Sequence, residues 1–262
     1  MSVTREDIER GFRELGIGAG VVVHSSLSSF GWVEGGAEAA VDALISSFPL
    51  VMVPTFTWGK VGAPMERDIP RNGPTDHLPE KLEVFRPGSP VIKDIGITPE
   101  TFRRRPEAKR SAHPSHSFAA VGEGAEEVLS TQGYEDPLAP IEALAARGGW
   151  VLMVGTELTS CTAIHAAETR AGRRLFIRSA VDENGRRFRV RVPSCSRAFG
   201  NFDSVLDPVK REVTIGGSRV RAYPGEELLS RAADAIRRDP RITVCDPECP
   251  RCRDTLAGGP PE

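Results

Sequence analysis

A histidine and a glutamate three residues apart, His165 and Glu168, lie in the stretch TELTSCTAIHAAET. Thr162 opens a run of helix formers there, so His165 falls in the first turn of a helix and Glu168 on the same face. An imidazole changes protonation near neutral pH and is therefore suited to take a proton from a reacting group. Cys161, four residues before His165, has the spacing of a candidate nucleophile for a covalent route. Thr162 has two readings: it caps the helix, or it turns its hydroxyl and the neighbouring N–H groups toward a developing oxyanion.

Three further sets of side chains could bind ligands. Ser26, Ser28 and Ser29 crowd into HSSLSSFG, closed by Gly31, Gly35 and Gly36. Hydroxyls and backbone N–H groups at a strand end suit a phosphate, although neither a P-loop nor a dinucleotide fingerprint is present. In KRSAHPSHSFAAVG, Arg110 and Ser111 would suit an anion, and His113 before Pro114 is held extended. Without support from elsewhere, that segment reads as a turn with incidental histidines. Cys249 and Cys252 in CPRC have the spacing that places two thiolates on one Zn²⁺; Cys245 is a third ligand and Cys195 a fourth. A structural zinc there would pin the C-terminal segment beside the site.

The elements that position these groups follow from pattern. Thr4 caps a first helix ending at Gly16. Gly20–His24 is a buried strand, Ala37–Phe48 an amphipathic helix and Pro49–Pro54 a second strand. This alternation predicts a layered α/β fold with parallel pairing. Thr55–Gly96 is irregular and long enough to be a lid or substrate wall, anchored by Trp58 and Phe85. A short helix follows Thr98, then a strand in SFAAVG, helices near Glu123–Leu129 and Leu138–Arg147, and the strand from Trp150 to Gly155. Beyond the His165 helix, Arg174–Pro193 reads as a hairpin about a type I′ turn at Asn184-Gly185. A loop and short helix come next, then a strand pair about Gly216-Gly217 and a last helix over Pro224–Arg237.

An apolar content of 39%, a charged content of 27% and a net charge of -2 are ordinary for a globular chain and argue against a nucleic-acid partner. No apolar run approaches a membrane span, and the charged N-terminus is unlike a signal peptide. The expectation is a cytoplasmic protein with no membrane partner. Residues 1–255 are expected to form a single domain carrying a Cys-rich segment, 245–252, with 256–262 a disordered tail.

Four motifs in order, HSSLSSFGWVEGG, VMVPTFTW, RSAHPSHSFAAVG and DPLAPIEALAARGGWVLMVGTELTSCTAIHAAE, make the chain resemble the aminoglycoside 3-N-acetyltransferase family. The resemblance runs from about Gly20 to Arg170 and continues weakly beyond. It implies the family's three-layer α/β/α-type domain, not the GNAT fold. It also implies acetyl transfer from acetyl-CoA to an amine of an aminoglycoside or other small molecule. His165 matches the catalytic base of the family's H-x-x-E motif, and Asp203, in NFDSV, matches its acidic partner. Ser26, Ser28, Ser29, Phe30 and Gly31 match coenzyme A contacts, as do Arg110, Ser111 and Ser117. Trp58 and Glu168 are assigned to the substrate side, and a homodimer is compatible with the family. Direct transfer leaves Cys161 a bystander. The chain departs from the family pattern at Phe85-Arg86-Pro87, basic where an aspartate is typical, and in its CDPECPRC segment. Competing readings keep His165 and Asp203 for a hydrolase or another acyltransferase, or make the chain a non-catalytic ligand-binding relative with a zinc-stapled tail.

Overall fold

The computed structural model describes residues 2–58 and 83–260. Its elements in chain order are α1 (Arg5–Glu14), β1 (Val21–Ser25), α2 (Gly36–Ser47), β2 (Leu50–Pro54), α3 (Ile97–Arg103), β3 (Lys109–Arg110), β4 (Phe118–Gly122), α4 (Ala125–Ser130) and α5 (Ala139–Ala146). There follow β5 (Trp150–Val154), α6 (Thr162–Arg170), β6 (Phe176–Val181), β7 (Arg187–Val192), α7 (Asp203–Leu206), β8 (Arg211–Ile215), β9 (Ser218–Pro224), α8 (Gly225–Arg238) and α9 (Pro250–Leu256). Thr4 closes a reciprocal capping box with Asp7 at the start of α1, as its position before the amphipathic run predicts.

One sheet organises the chain, in the order β3-β4-β2-β1-β5-β9-β8. Its centre, β2-β1-β5, is parallel, and antiparallel strands extend both edges. The apolar runs of the central strands reflect burial on both faces. Val21, Val23, Val51 and Val53 pack under α1 and α2. Val22, Met52, Val151 and Met153 point the other way, against α5, α6 and α8. Helices thus cover both faces of a mixed sheet, a layered α/β fold as the alternating pattern predicts, with the three layers that the family resemblance implies.

β6 and β7 form a separate two-stranded hairpin with a small core of Phe176, Ala180, Val190 and Val192. Its turn is wider than the expected type I′. Gly185, at φ +75°, donates its N–H to Asp182 O, and Asp182 accepts a second backbone pair through its carboxylate. Asp182 reorganises the loop because its side chain competes for the N–H groups of Asn184 and Arg186. Residues 59–82, the middle of the expected lid, lie outside the described residues. Where the sequence suggests a disordered tail, Gly258 O accepts from Arg174 N–H, and Gly259 and Pro260 are buried. No helix of the described residues is long and apolar enough to cross a membrane.

The parallel strands all end at one edge, where Ser25, Pro54 and Thr156 line a single cavity. Crevices at the carboxyl ends of parallel strands are the common ligand site of open α/β sheets. Gly155 turns the chain there at φ +62°, and a Cβ on it would stand 1.8 Å from Ser29 Oγ. Gly155→Ala is therefore expected to lower unfolding stability by about 2 kcal/mol or more, read as a shifted urea midpoint. A variant as stable as the parent would show that the hydroxyl loop yields freely.

Candidate active site

His165 enters the site from the first turn of α6, and its ring lines a cavity of about 1100 Å³. Its Nδ1 lies 2.7 Å from Glu168 Oε2. A carboxylate only accepts, so in the neutral ring Nδ1 carries the proton and Nε2 keeps its lone pair. The other oxygen of Glu168 accepts from Arg173 at 2.7 Å. Arg173 also donates to Thr243 Oγ1 and to Pro240 O, each at 2.6 Å. All three side chains of this chain of bonds are buried. Phe199 presses its ring edgewise on the imidazole, 4.7 Å between centroids. The arrangement holds one nitrogen in a fixed tautomer and orientation and leaves the other free, among the described residues, to exchange a proton.

This geometry corrects two sequence expectations. Asp203 does not reach His165; it pairs with Arg221 at 3.1 Å and is half-exposed. Arg221, buried on β9, also binds Thr156 O and Glu157, and so draws Asp203 toward the loop after β5. Glu168, expected on the substrate side, turns both oxygens to groups inside the protein, His165 and Arg173. The i, i+3 spacing already put it beside His165.

Thr162 is the first residue of α6, and Cys161 is the N-cap, without a side-chain cap bond. The Thr162 N–H is turned to His24 Nε2 at 3.4 Å, while the residue lines the cavity. Burial pushes the Cys161 thiol up to about 12, which makes a thiolate nucleophile unfavourable at neutral pH.

The expected ligand residues separate into two groups. Ser26, Ser28, Gly31 and Trp58 line the cavity. Ser29 instead bonds Ser26 O and Ser218 Oγ, and Phe30 is buried in the core. Arg110, Ser111 and Ser117 do not line the cavity. Arg110 donates to Thr55 O, Thr55 Oγ1, Ser117 Oγ and the carbonyls of Pro87 and Ser89, beneath the ring of Phe85. Ser111 closes both backbone groups of Phe118, and Ser117 binds Thr55. Their donors join the loop after β3 to β2.

Cys195, Cys245, Cys249 and Cys252 do converge: their sulfurs all lie within 4.8 Å of one another. The closest pairs are 3.5 and 3.6 Å. Burial raises the thiols of Cys245 and Cys252 and the neighbouring sulfurs add to the rise, whereas hydrogen bonds from Cys252 and Cys245 lower Cys249.

Sequence reasoning missed Arg173, Phe199, His24, Trp32 and three arginines, Arg178, Arg197 and Arg251, that line the cavity. Arg173, Arg178 and Phe199 belong to no short motif and arrive by tertiary folding, whereas His24 and Trp32 sit in the hydroxyl-loop motif and Arg251 in CPRC, where the motifs themselves give them no role. His113 proves structural. Its Nδ1 accepts the N–H groups of Ser115 and His116, and its Nε2–H donates to Arg191 O.

The aminoglycoside 3-N-acetyltransferase family model matches residues 22–237. Aminoglycoside N(3)-acetyltransferase IX of Micromonospora chalcea is 31% identical over 252 residues, covering 90% of this chain and 89% of that protein. The SPbeta prophage-derived aminoglycoside N(3')-acetyltransferase-like protein YokD of Bacillus subtilis is 33% identical over 184 residues, 64% of this chain and 65% of that protein. The match thus spans just under two thirds of the length of the Bacillus relative. The crystal structure of aminoglycoside acetyltransferase AAC(3)-IVa superimposes with a TM-score of 0.79 at 25% identity, covering 98% of both chains.

Burial holds His24 and His113 down to about 4, and His116 well below its ordinary value. Below pH 6.5 the unfolded chain therefore binds more protons than the folded one. The stability from neutral burial is complete above about pH 6.5 and is lost as pH falls toward 4, on the order of 3 kcal/mol for each of His24 and His113. Thermal melts between pH 7 and pH 4.5 are expected to show this decline, and His113→Asn should flatten its slope. Equal slopes for the two proteins would remove His113 from the account.

Proposed function

We propose that this chain, which belongs to the aminoglycoside 3-N-acetyltransferase family, transfers the acetyl group of acetyl-CoA to an amino group of an aminoglycoside or another small amine. The observation that carries the reading is the buried His165–Glu168 pair at the cavity wall, 2.7 Å between Nδ1 and Oε2. Residues 1–255 are taken as the single acetyltransferase domain. The cytoplasm is the natural compartment for its five cysteines, all of them free.

The chemistry follows from what those side chains can hold. The amine nitrogen forms a bond to the thioester carbonyl carbon while His165 Nε2 takes the proton that the nitrogen sheds. The C–S bond then breaks, and the imidazolium returns the proton to the departing sulfur, giving an N-acetyl product and the free thiol of coenzyme A. Glu168 keeps the ring aimed and stabilises its cationic form; Arg173, donating to the other oxygen, holds Glu168 in place. Ser26 and Ser28 with the Gly31 turn offer hydroxyls to the cosubstrate, and Thr162 offers its hydroxyl near the reacting carbonyl. The base contributes about 10²–10⁴-fold, so alignment of the two substrates in the crevice supplies much of the remainder.

His165→Ala is expected to lower kcat by about 10²–10⁴-fold in a free-thiol release assay with an amine panel. Glu168→Gln, whose amide can donate to Nδ1 and invert the tautomer, should fall in a similar range. Asp203→Asn should stay within about threefold, because a half-exposed ion pair contributes little. A collapse in Asp203→Asn with Glu168→Gln unaffected would reverse the assignment of the acid.

A structural Zn²⁺ on Cys195, Cys245, Cys249 and Cys252 completes the proposal. Four thiolates at about 2.3 Å from one ion stand about 3.8 Å apart, and the observed sulfur spacing is compatible with that. A divalent cation would also reverse the mutual repulsion of the thiolates. Elemental analysis is expected to find about one zinc per chain, and chelation to lower the melting temperature. Purified, folded protein free of zinc would end this part of the reading.

A further inference from the structure

We propose that the acceptor amine carries an anionic group, a phosphate or a carboxylate, held beside His165 by Arg178 with Arg251 and Arg197. This deepens the acetyltransferase reading above and rests on it for the chemistry, though not for the binding.

The starting point is a buried charge. Arg178, in the middle of β6, is 6% exposed, and its one described hydrogen bond runs from Nη1 to the adjacent Ile177 O. Among the described residues no carboxylate pairs with it. A guanidinium withdrawn from water without an anion costs several kcal/mol, and burial together with the charge of Arg251 holds Arg178 down at about 10. Arg178 lines the cavity, so an anion within that cavity would relieve the cost.

The surroundings repeat the sign. Arg197 and Arg251 line the same cavity, and Asp94 is the one carboxylate among its described lining residues. Asp94 belongs to the other side, on the stretch whose Gly96 packs toward Ser25 O at the end of β1. A polycation would meet repulsion at this end, whereas a mixed-charge amine would be drawn in.

Arg178 lines the same cavity as His165, His116 and Trp58, so an anion on it shares the crevice that the base faces. An unchanged Kd of acetyl-CoA in Arg178→Gln distinguishes that anion from the phosphates of the cosubstrate. Nearby guanidinium charge also favours the unprotonated form of an incoming amine, the form that can attack.

The test uses the full chain with paired amines: glucosamine 6-phosphate against glucosamine, 4-aminobutyrate against butylamine, and gentamicin as a polycation. Thiol release is expected to give a kcat/KM about 10–100-fold higher for an anionic member than for its neutral twin. Arg178→Gln should erase that preference while the Kd of acetyl-CoA from calorimetry stays unchanged. If Arg178→Gln does not fold, Arg251→Gln, on the less buried tail, should reduce the same ratio. Equal or faster turnover of the neutral amines or gentamicin would overturn the proposal, as would Arg178→Gln weakening acetyl-CoA in place of the acceptor. Failure of acetyl-CoA to bind at all would instead sink the acetyltransferase reading. Calorimetry with glucosamine 6-phosphate and with inorganic phosphate, on wild type and Arg178→Gln, still reads the cation site in that case. Absence of binding there would refute the anion site independently.

Discussion

The structure depends most on giving both oxygens of the buried Glu168 a partner. A carboxylate that is 5% exposed persists only when its desolvation is offset by donors of good geometry. Glu168 has two, His165 on one oxygen and Arg173 on the other. Arg173 is itself buried and needs further acceptors, which it finds at Pro240 and Thr243, just beyond α8. The stretch 165–173 and the distant turn at 240–243 are thereby locked to one carboxylate. Asn201 adds a tie from the loop of Phe199 to Ile242 O at 2.9 Å, so the aromatic ring that seats the imidazole is fixed to the same short stretch.

The sheet explains why that carboxylate sits where it does. Burial of β1, β2 and β5 on both faces forces their polar loops to one edge, since only the strand ends can reach water. Ser26 N–H bonds Val154 O, which brings the hydroxyl loop against the end of β5 and the start of α6. Gly155 permits that approach by having no side chain. The crevice is thus a consequence of strand direction and of one missing Cβ, with the helix bearing His165 delivered to its rim.

Much of this was legible in the amino-acid order because it is local. The β1 and β5 runs, the capping box of Thr4 and the i, i+3 relation of His165 to Glu168 are written within a few residues. The Cys249–Cys252 spacing is of the same kind. The partner of the histidine was misassigned to Asp203 because two carboxylates were available and sequence cannot show which one Arg221 removes. Arg110, Ser111 and Ser117 look like an anion site for a related reason: donors are visible in sequence, whereas the carbonyls that use them up are not. Arg173, Arg178 and Phe199 carried no spacing signal at all, since each meets the site only after the hairpin and the last helix have packed.

The thiol cluster and the cavity arginines share the same pieces of backbone. Arg251 stands between Cys249 and Cys252, and Arg197 follows Cys195 by two residues. Fastening four sulfurs within 4.8 Å of one another therefore also fixes two guanidinium groups around the cavity mouth. A charged side chain on a free tail would lose conformational entropy on meeting a ligand, and much of its attraction would be spent on ordering. Held by the cluster, the same side chain meets the ligand already placed. The Cys-rich segment, a departure from the family pattern, and two of the cavity arginines are thus one device, since the backbone that carries the sulfurs also places the guanidinium groups.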